Sequence, residues 1–230
     1  MNFGDLAYTD IEARHGAVHL LPLGATEPHG PHAPLSTDTL ISTGICRRVA
    51  ERLRGEIDIL VLPPLPYGVT RYGSAFPGAL SISEGTLRTL VEEITKDLPR
   101  VVLVNSHFEP EQVATLRESG LPLLDLTRRA YAERLTEEFR SGSCHAGRYE
   151  TSLVLADHPE LVNRELMAGL ETKTVDMPAA IGEGRTDFLA MGMDAAYCGS
   201  PAEATPEEGV ETYETLTDML VELVREVAAR

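Results

Sequence analysis

Four short apolar runs constrain the fold of this chain more than any other feature. They are "AVHLLPLG" (17–24), "IDILVLPPL" (57–65), "RVVLVNS" (100–106) and "LPLLDL" (121–126). Each has the length of one strand, and each is followed by a segment with helical spacing: 39–53, 85–98, 109–119 and 128–139. Runs apolar at successive positions are buried on both faces, and such strands alternating with helices build a parallel sheet covered on both sides. The pattern predicts an α/β fold, a three-layer αβα sandwich with a mostly parallel central sheet. The segment 206–230 places Leu216, Met219, Leu220, Leu223, Val224 and Val227 at helical spacing, so it reads as a long amphipathic helix that closes the domain. At 230 residues the chain suits a single domain over 1–230. The Pro- and Gly-rich pieces 63–78 and 177–202 read as long loops, which in compact domains commonly carry function.

Charge and cysteine usage narrow the partners. With 20 basic and 36 acidic residues the formal net charge is −16, and no basic cluster is large enough for a nucleic-acid or anionic-membrane footprint. No apolar run approaches the ~18 residues of a membrane span, and the opening segment lacks the pattern of a secretory signal. A cytoplasmic protein acting on a small molecule is the expectation. Cys46, Cys144 and Cys198 are odd in number and far apart, which favours free thiols over a disulfide framework or a thiolate zinc site.

The chemistry gathers at two strand ends. The first run leads into "EPHGPHAPLSTD" (27–38), with Glu27, His29, His32 and Asp38; the third leads into Ser106-His107-Phe108-Glu109. In open parallel sheets ligands bind beyond the carboxyl ends of the strands, so both clusters face one crevice. Glu-x-His and His-x-Glu spacing puts alternate side chains on one side of an extended segment. Mixed imidazole and carboxylate donors suit Zn²⁺, Mn²⁺ or Fe²⁺, and a shared carboxylate can bridge two ions roughly 3.5–4 Å apart. Asp38, at the start of the next helix, is the expected bridge. His32 is left out of the metal set. A third cluster, "SCHAGRYETS" (143–152), offers His145 as a general acid/base and Glu150 as a metal ligand or supporting carboxylate; its plainer reading is a helix start. A nucleotide-binding reading fails on the turn after the first strand, which has Pro and ligand residues where a phosphate-cradling loop needs successive Gly.

Taken together, "LPLGATEPHGPHAPLSTD", "YGVTRYGSAFPGALSIS", "VNSHFEP", "HAGRYETSLVLADHPELV" and "YCGSPAEATPEEG", in that order, resemble the creatininase (creatinine amidohydrolase) family over most of the chain. The resemblance implies a metal-dependent amidohydrolase that cleaves a C–N amide bond with two divalent transition metal ions, Zn²⁺ and/or Mn²⁺, with Fe²⁺ as a further candidate. It implies that Glu27 and His107 bind one ion, that His29 and Glu109 bind the other, and that Asp38 bridges them. His145 then shuttles a proton to the leaving nitrogen and Glu150 supports the metals or their water. Arg71, Tyr72, Phe108 and Arg148 are the candidate substrate contacts. The family is often a homohexamer, so a homo-oligomer is expected.

The chain has no Trp, whereas creatininase itself uses tryptophans around its substrate. A cyclic amide, a formamide or a similar small molecule is the expected substrate class; the family alternatives are a precursor-peptide peptidase and a hydrolase of sugar-derived carbonyl compounds. A non-catalytic metal-binding protein on the same fold is the competing class.

Overall fold

The computed structural model describes residues 1–230. In chain order the elements are α1 (Tyr8–Glu12), β1 (Val18–Leu23), α2 (Thr37–Arg52), β2 (Ile59–Val61), α3 (Glu84–Thr95), β3 (Val101–Asn105), α4 (Pro110–Glu118), β4 (Leu123–Leu124), α5 (Arg129–Ala132), α6 (Glu137–Ser141), α7 (Arg148–Asp157), α8 (Arg164–Ala168), α9 (Met177–Gly182) and α10 (Pro206–Ala228). The strands form one parallel sheet in the order β2-β1-β3-β4. Central strands β1 and β3 pair from His19 with Val101 to Leu23 with Asn105, so their carboxyl ends finish level.

Successive residues of these strands point to opposite faces, and both faces are apolar. Val18, Leu20, Val102 and Val104 pack with Ile41, Ile45 and Val49 of α2, Leu153 of α7 and Leu216, Leu220 and Val224 of α10. Leu21, Leu23 and Leu103 pack on the other side with Leu87 and Val91 of α3 and Leu116 of α4. Three layers result, as the apolar runs predict. Where β1 ends, Gly24 lies so close to the start of α2 that a Cβ there would sit 2.6 Å from the Thr39 nitrogen. This approach brings the first turn of α2, and Asp38 with it, against the strand end.

Four expected elements differ in extent, and of these the run 121–126 keeps only the two strand residues Leu123–Leu124. The run 57–65 keeps only three strand residues, because Pro63 and Pro64 have no N–H to donate to a ladder. The expected helix 128–139 is two short helices, α5 ending at Ala132 and α6 starting at Glu137, where the Thr136 hydroxyl caps the second by accepting from the Phe139 N–H. Segment 177–202 contains α9 and has a small core of its own, in which Phe188, Met191, Met193, Ala196 and Cys198 pack with Tyr72, Met177 and Ile181. No helix is long and apolar enough to cross a membrane.

Candidate active site

Seven acidic and imidazole side chains, Glu27, His29, Asp38, His107, Glu109, His145 and Glu150, converge beyond the carboxyl ends of β1 and β3, and all are buried. Glu27 and His29 follow β1, Asp38 is in the first turn of α2, and His107 and Glu109 follow β3. The turn after β3 is braced from inside: Asn105 Nδ2 donates to the His107 carbonyl at 2.5 Å, and Gln112 of α4 donates to Asn105 Oδ1 at 2.9 Å.

Each imidazole has one nitrogen tied to the main chain. His29 Nδ1 donates to the Glu27 carbonyl at 3.1 Å, His107 Nε2 to the Val69 carbonyl at 2.7 Å, and His145 Nε2 to the Pro28 carbonyl at 2.9 Å. A carbonyl only accepts, so each tether fixes the tautomer and leaves the other ring nitrogen facing the cluster. His29 Nε2 then stands 3.2 Å from Asp38 Oδ1, 3.7 Å from Glu150 Oε2 and 3.9 Å from Glu27 Oε1. His107 Nδ1 stands 3.1 Å from Asp38 Oδ2 and 3.2 Å from Glu27 Oε1. His145 Nδ1 lies 3.8 Å from Glu27 Oε1, with its ring 4.6 Å from that of His29.

These distances define compact donor sets, each with ligand atoms within 4.8 Å of one another: Glu27, Asp38 and His107; His29, Asp38 and Glu150; and Glu27, His29 and His145. Asp38 belongs to the first two, one oxygen toward each imidazole. Glu150, not Glu109, stands beside His29. Glu150 is in the first turn of α7 and its Oε2 accepts from the Ala146 N–H at 2.6 Å. Ala146 holds the left-handed backbone region, φ 49°, to present that N–H. The Glu109 carboxylate instead takes the Arg71 N–H at 2.8 and 2.9 Å and the Tyr72 N–H at 3.4 Å.

Electrostatics show what the cluster lacks. Burial alone would lower the pKa of His29, but Asp38, Glu150 and Glu27 outweigh it and hold it up to about 10. Burial is likewise outweighed at His107, which Glu27 and Asp38 hold well above the usual imidazole range. Asp38 is held low by His29 and His107 against its own burial. Burial pushes Glu150 up to about 8 and Glu109 up to about 7, while burial and the charge of His29 bring His145 down to about 4. Buried carboxylates here draw positive charge onto the imidazoles. His29 Nε2 and Asp38 Oδ2 are fully buried without a hydrogen-bond partner. Divalent cations fit this donor set: they would satisfy both atoms and supply the missing charge.

A small pocket opens onto the cluster, walled by Tyr72, Phe108, Pro110, Met177, Ile181 and Phe188. Of the expected substrate contacts, Tyr72 and Phe108 line it. The Arg71 side chain lies outside on Glu84 at 2.6 Å, and Arg148 outside on Glu208 and Glu203 of the α10 side. Cys144 also lines the pocket, with burial pushing its thiol well above the usual range. His32 stays outside the donor sets, with Nε2 2.9 Å from Thr151 Oγ1.

The family model described as creatinine amidohydrolase matches residues 4–224. The chain belongs to the creatininase family. A mycofactocin precursor peptide peptidase of Mycobacterium ulcerans is 33% identical over 209 residues, covering 86% of this chain and 81% of that protein. Creatinine amidohydrolase of Pseudomonas putida is 32% identical over 210 residues, covering 77% and 76%. A solved structure described as creatininase Mn superimposes with a TM-score of 0.77 at 26% identity, over 98% of this chain and 97% of that one. The protein is therefore a creatininase-family hydrolase, with buried His, Glu and Asp clusters consistent with a binuclear metal site.

Beside the creatininase-family motifs stand residues that the sequence did not single out. Thr70 donates its hydroxyl to Glu27 Oε2. The Val69 N–H donates to Gln112 Oε1 at 2.8 Å, which places the carbonyl that orients His107. Phe188 stacks 4.4 Å from the His145 ring and donates its N–H to the Tyr72 carbonyl. All are long-range pairings; the Thr70 and Gln112 types carry no signal alone, and Phe188 was marked only by lying in a long loop.

Proposed function

We propose that this creatininase-family hydrolase cleaves the C–N amide bond of a small, uncharged substrate with two divalent transition metal ions, Zn²⁺ and/or Mn²⁺. Glu27, Asp38 and His107 would hold one ion, and His29, Asp38 and Glu150 the other. The observation that carries this reading is the single buried Asp38 carboxylate shared between two tethered imidazoles, at 3.2 Å from His29 and 3.1 Å from His107. Bound there, such ions supply Lewis-acid polarisation of a carbonyl oxygen and make a water more acidic.

The remaining chemistry belongs to the chain. Glu109 is held at the pocket by the Arg71 and Tyr72 N–H groups, where it can accept the proton that an attacking water gives up. His145, kept neutral by burial and with its proton on the tethered Nε2, presents an unprotonated Nδ1 that can take up this proton in turn and pass it to the departing nitrogen. The apolar walls exclude bulk water, and no Lys or Arg lines the pocket. A substrate carboxylate would find no side-chain cation, which favours a neutral amide.

A peptide bond is the second reading. It is supported by the similarity to a peptidase and by aromatic walls suited to an apolar side chain.

The test is hydrolysis of small lactams, formamides and short neutral peptides by protein reconstituted with Mn²⁺ or Zn²⁺, alongside elemental analysis. Metal-dependent release of amine is expected, with metal content at two ions per chain. Failure of the reconstituted protein to retain metal would remove the proposal. Size measurement of the purified chain tests the expected homo-oligomer.

A further inference from the structure

The helix that carries Glu150 has no side-chain cap of its own: residue Gly147 occupies the N-cap of α7 and offers no side-chain oxygen. Glu138, from the separate helix α6, takes that place. Its Oε1 accepts from the Tyr149 N–H at 2.8 Å, inside the first turn of α7. Its Oε2 accepts from the Ser200 N–H at 2.7 Å. Gly147 has to be glycine for this: a Cβ there would lie 2.5 Å from Glu138 Oε1 and 2.6 Å from the Cys198 carbonyl.

The two segments joined by Glu138 also grip His145. The Cys198 N–H donates to the His145 carbonyl at 2.8 Å, and the His145 N–H points to Cys198 Sγ at 3.4 Å. One carboxylate thus holds the start of α7 and the 198–200 segment together around 145–150. Glu27, Asp38 and His107 stand on strand ends and α2, and the turn that carries His107 is braced separately by Asn105 and Gln112.

We infer that Glu138 is a positioning residue for the His29, Asp38 and Glu150 half of the metal centre, acting by fixing the 145–150 segment between α6 and residues 198–200. The inference rests on the dinuclear reading of the site. Glu138 itself touches neither the donor sets nor the pocket. Its loss should release Glu150 and leave the Glu27, Asp38 and His107 set in place.

The experiment is Mn²⁺ titration of the metal-free full-length protein, followed by stepwise chelator competition, for the wild type, Glu138→Gln, Glu138→Ala and Gly147→Ala. Glu138→Gln keeps one acceptor oxygen, so it should weaken one of the two ions by about 10- to 100-fold and leave the other unchanged. Glu138→Ala should weaken the same ion further. Gly147→Ala, which drives a methyl into the carboxylate, should repeat the selective effect even if Glu138→Ala does not fold. Thermal melts run alongside. A lowered Tm with both ions weakened equally, or with neither weakened, would show a merely structural role and overturn the inference. Wild-type protein that binds fewer than two ions would instead overturn the dinuclear reading, whatever the variants do.

Discussion

The candidate metal centre has two halves built in different ways. Glu27, Asp38 and His107 rest on β1, β3 and the first turn of α2, the most deeply packed part of the molecule. His145, Glu150 and the pocket wall around Phe188 rest on α7 and on the 177–202 segment, whose small core is separate from the main one. The first half inherits its placement from the sheet, with Thr70 and the Val69 carbonyl fixing the Glu27 and His107 side chains. The second is assembled from hydrogen bonds through Glu138, Cys198 and Ala146. Groups on the sheet are rigid by default; groups on loops are rigid only where something holds them, and they are also where a pocket can be reshaped.

The strongest test of this division is Asp38→Ala, which removes the one carboxylate common to both halves. It should abolish binding of both ions and turnover with them, and calorimetric titration that finds either ion at wild-type affinity would break the shared-ligand assignment. His145→Ala should leave metal content intact and lower turnover by about two to four orders of magnitude. Loss of metal in that variant would move His145 among the ligands.

Stability should divide along the same line. Leu20→Ala in the main core is expected to cost about 2–5 kcal/mol of global unfolding free energy, measured by denaturant titration. Met193→Ala in the 177–202 core should show mainly as faster hydrogen exchange within that segment, because such a unit can open without unfolding the sheet. Equal global losses would merge the two regions into one cooperative unit.

The metal-free protein should also report its unpaired charge. His29 has a folded pKa of about 10, above its unfolded value, so its contribution is complete below the unfolded pKa of ~6.5 and is lost as pH rises through about 10. Glu150, raised to about 8, loses its contribution earlier, between about 4.5 and 8. The Tm of chelator-treated protein should therefore fall from neutral to alkaline pH, and saturating Mn²⁺ should flatten the slope. A Tm that rises over this window would contradict the charge assignment. The smallest expected effect is that of Arg148→Ala, whose partly exposed ion pairs lie outside the pocket: a stability change within about 1 kcal/mol and an unchanged KM. A raised KM would bring Arg148 back as a substrate contact.

How much of this was legible in the sequence follows the same division. The apolar runs announced the sheet, and the segments after β1 and β3 offered Glu27, His29, Asp38 and His107 as candidates, because strand direction fixes which end of the sheet such segments reach; Asp38 arrives there on the first turn of α2. Glu109 shows where local reasoning ends. Its spacing from His107 suggests a shared face, yet Pro110 starts α4 immediately afterwards and Glu109 turns to the main chain of Arg71 and Tyr72. That partner is 38 residues away. Arg71 and Arg148 looked like pocket residues because their neighbours are, but Glu84 and Glu208 claim their side chains. Glu138 gave no signal at all: it is one of several acids in a polar helix, and only the meeting of α6, α7 and residues 198–200 gives it a task.

The three imidazole tethers have a further consequence for how such a site can change over generations. Each ends on a peptide carbonyl, of Glu27, Val69 or Pro28, and every residue type carries that oxygen. Single substitutions at Val69 or Pro28 therefore leave the tethering atom in the chain, whereas Tyr72, Phe108, Met177, Ile181 and Phe188 present side chains that any substitution replaces. Ring orientation is buffered against mutation, and the pocket wall is free to drift toward new substrates.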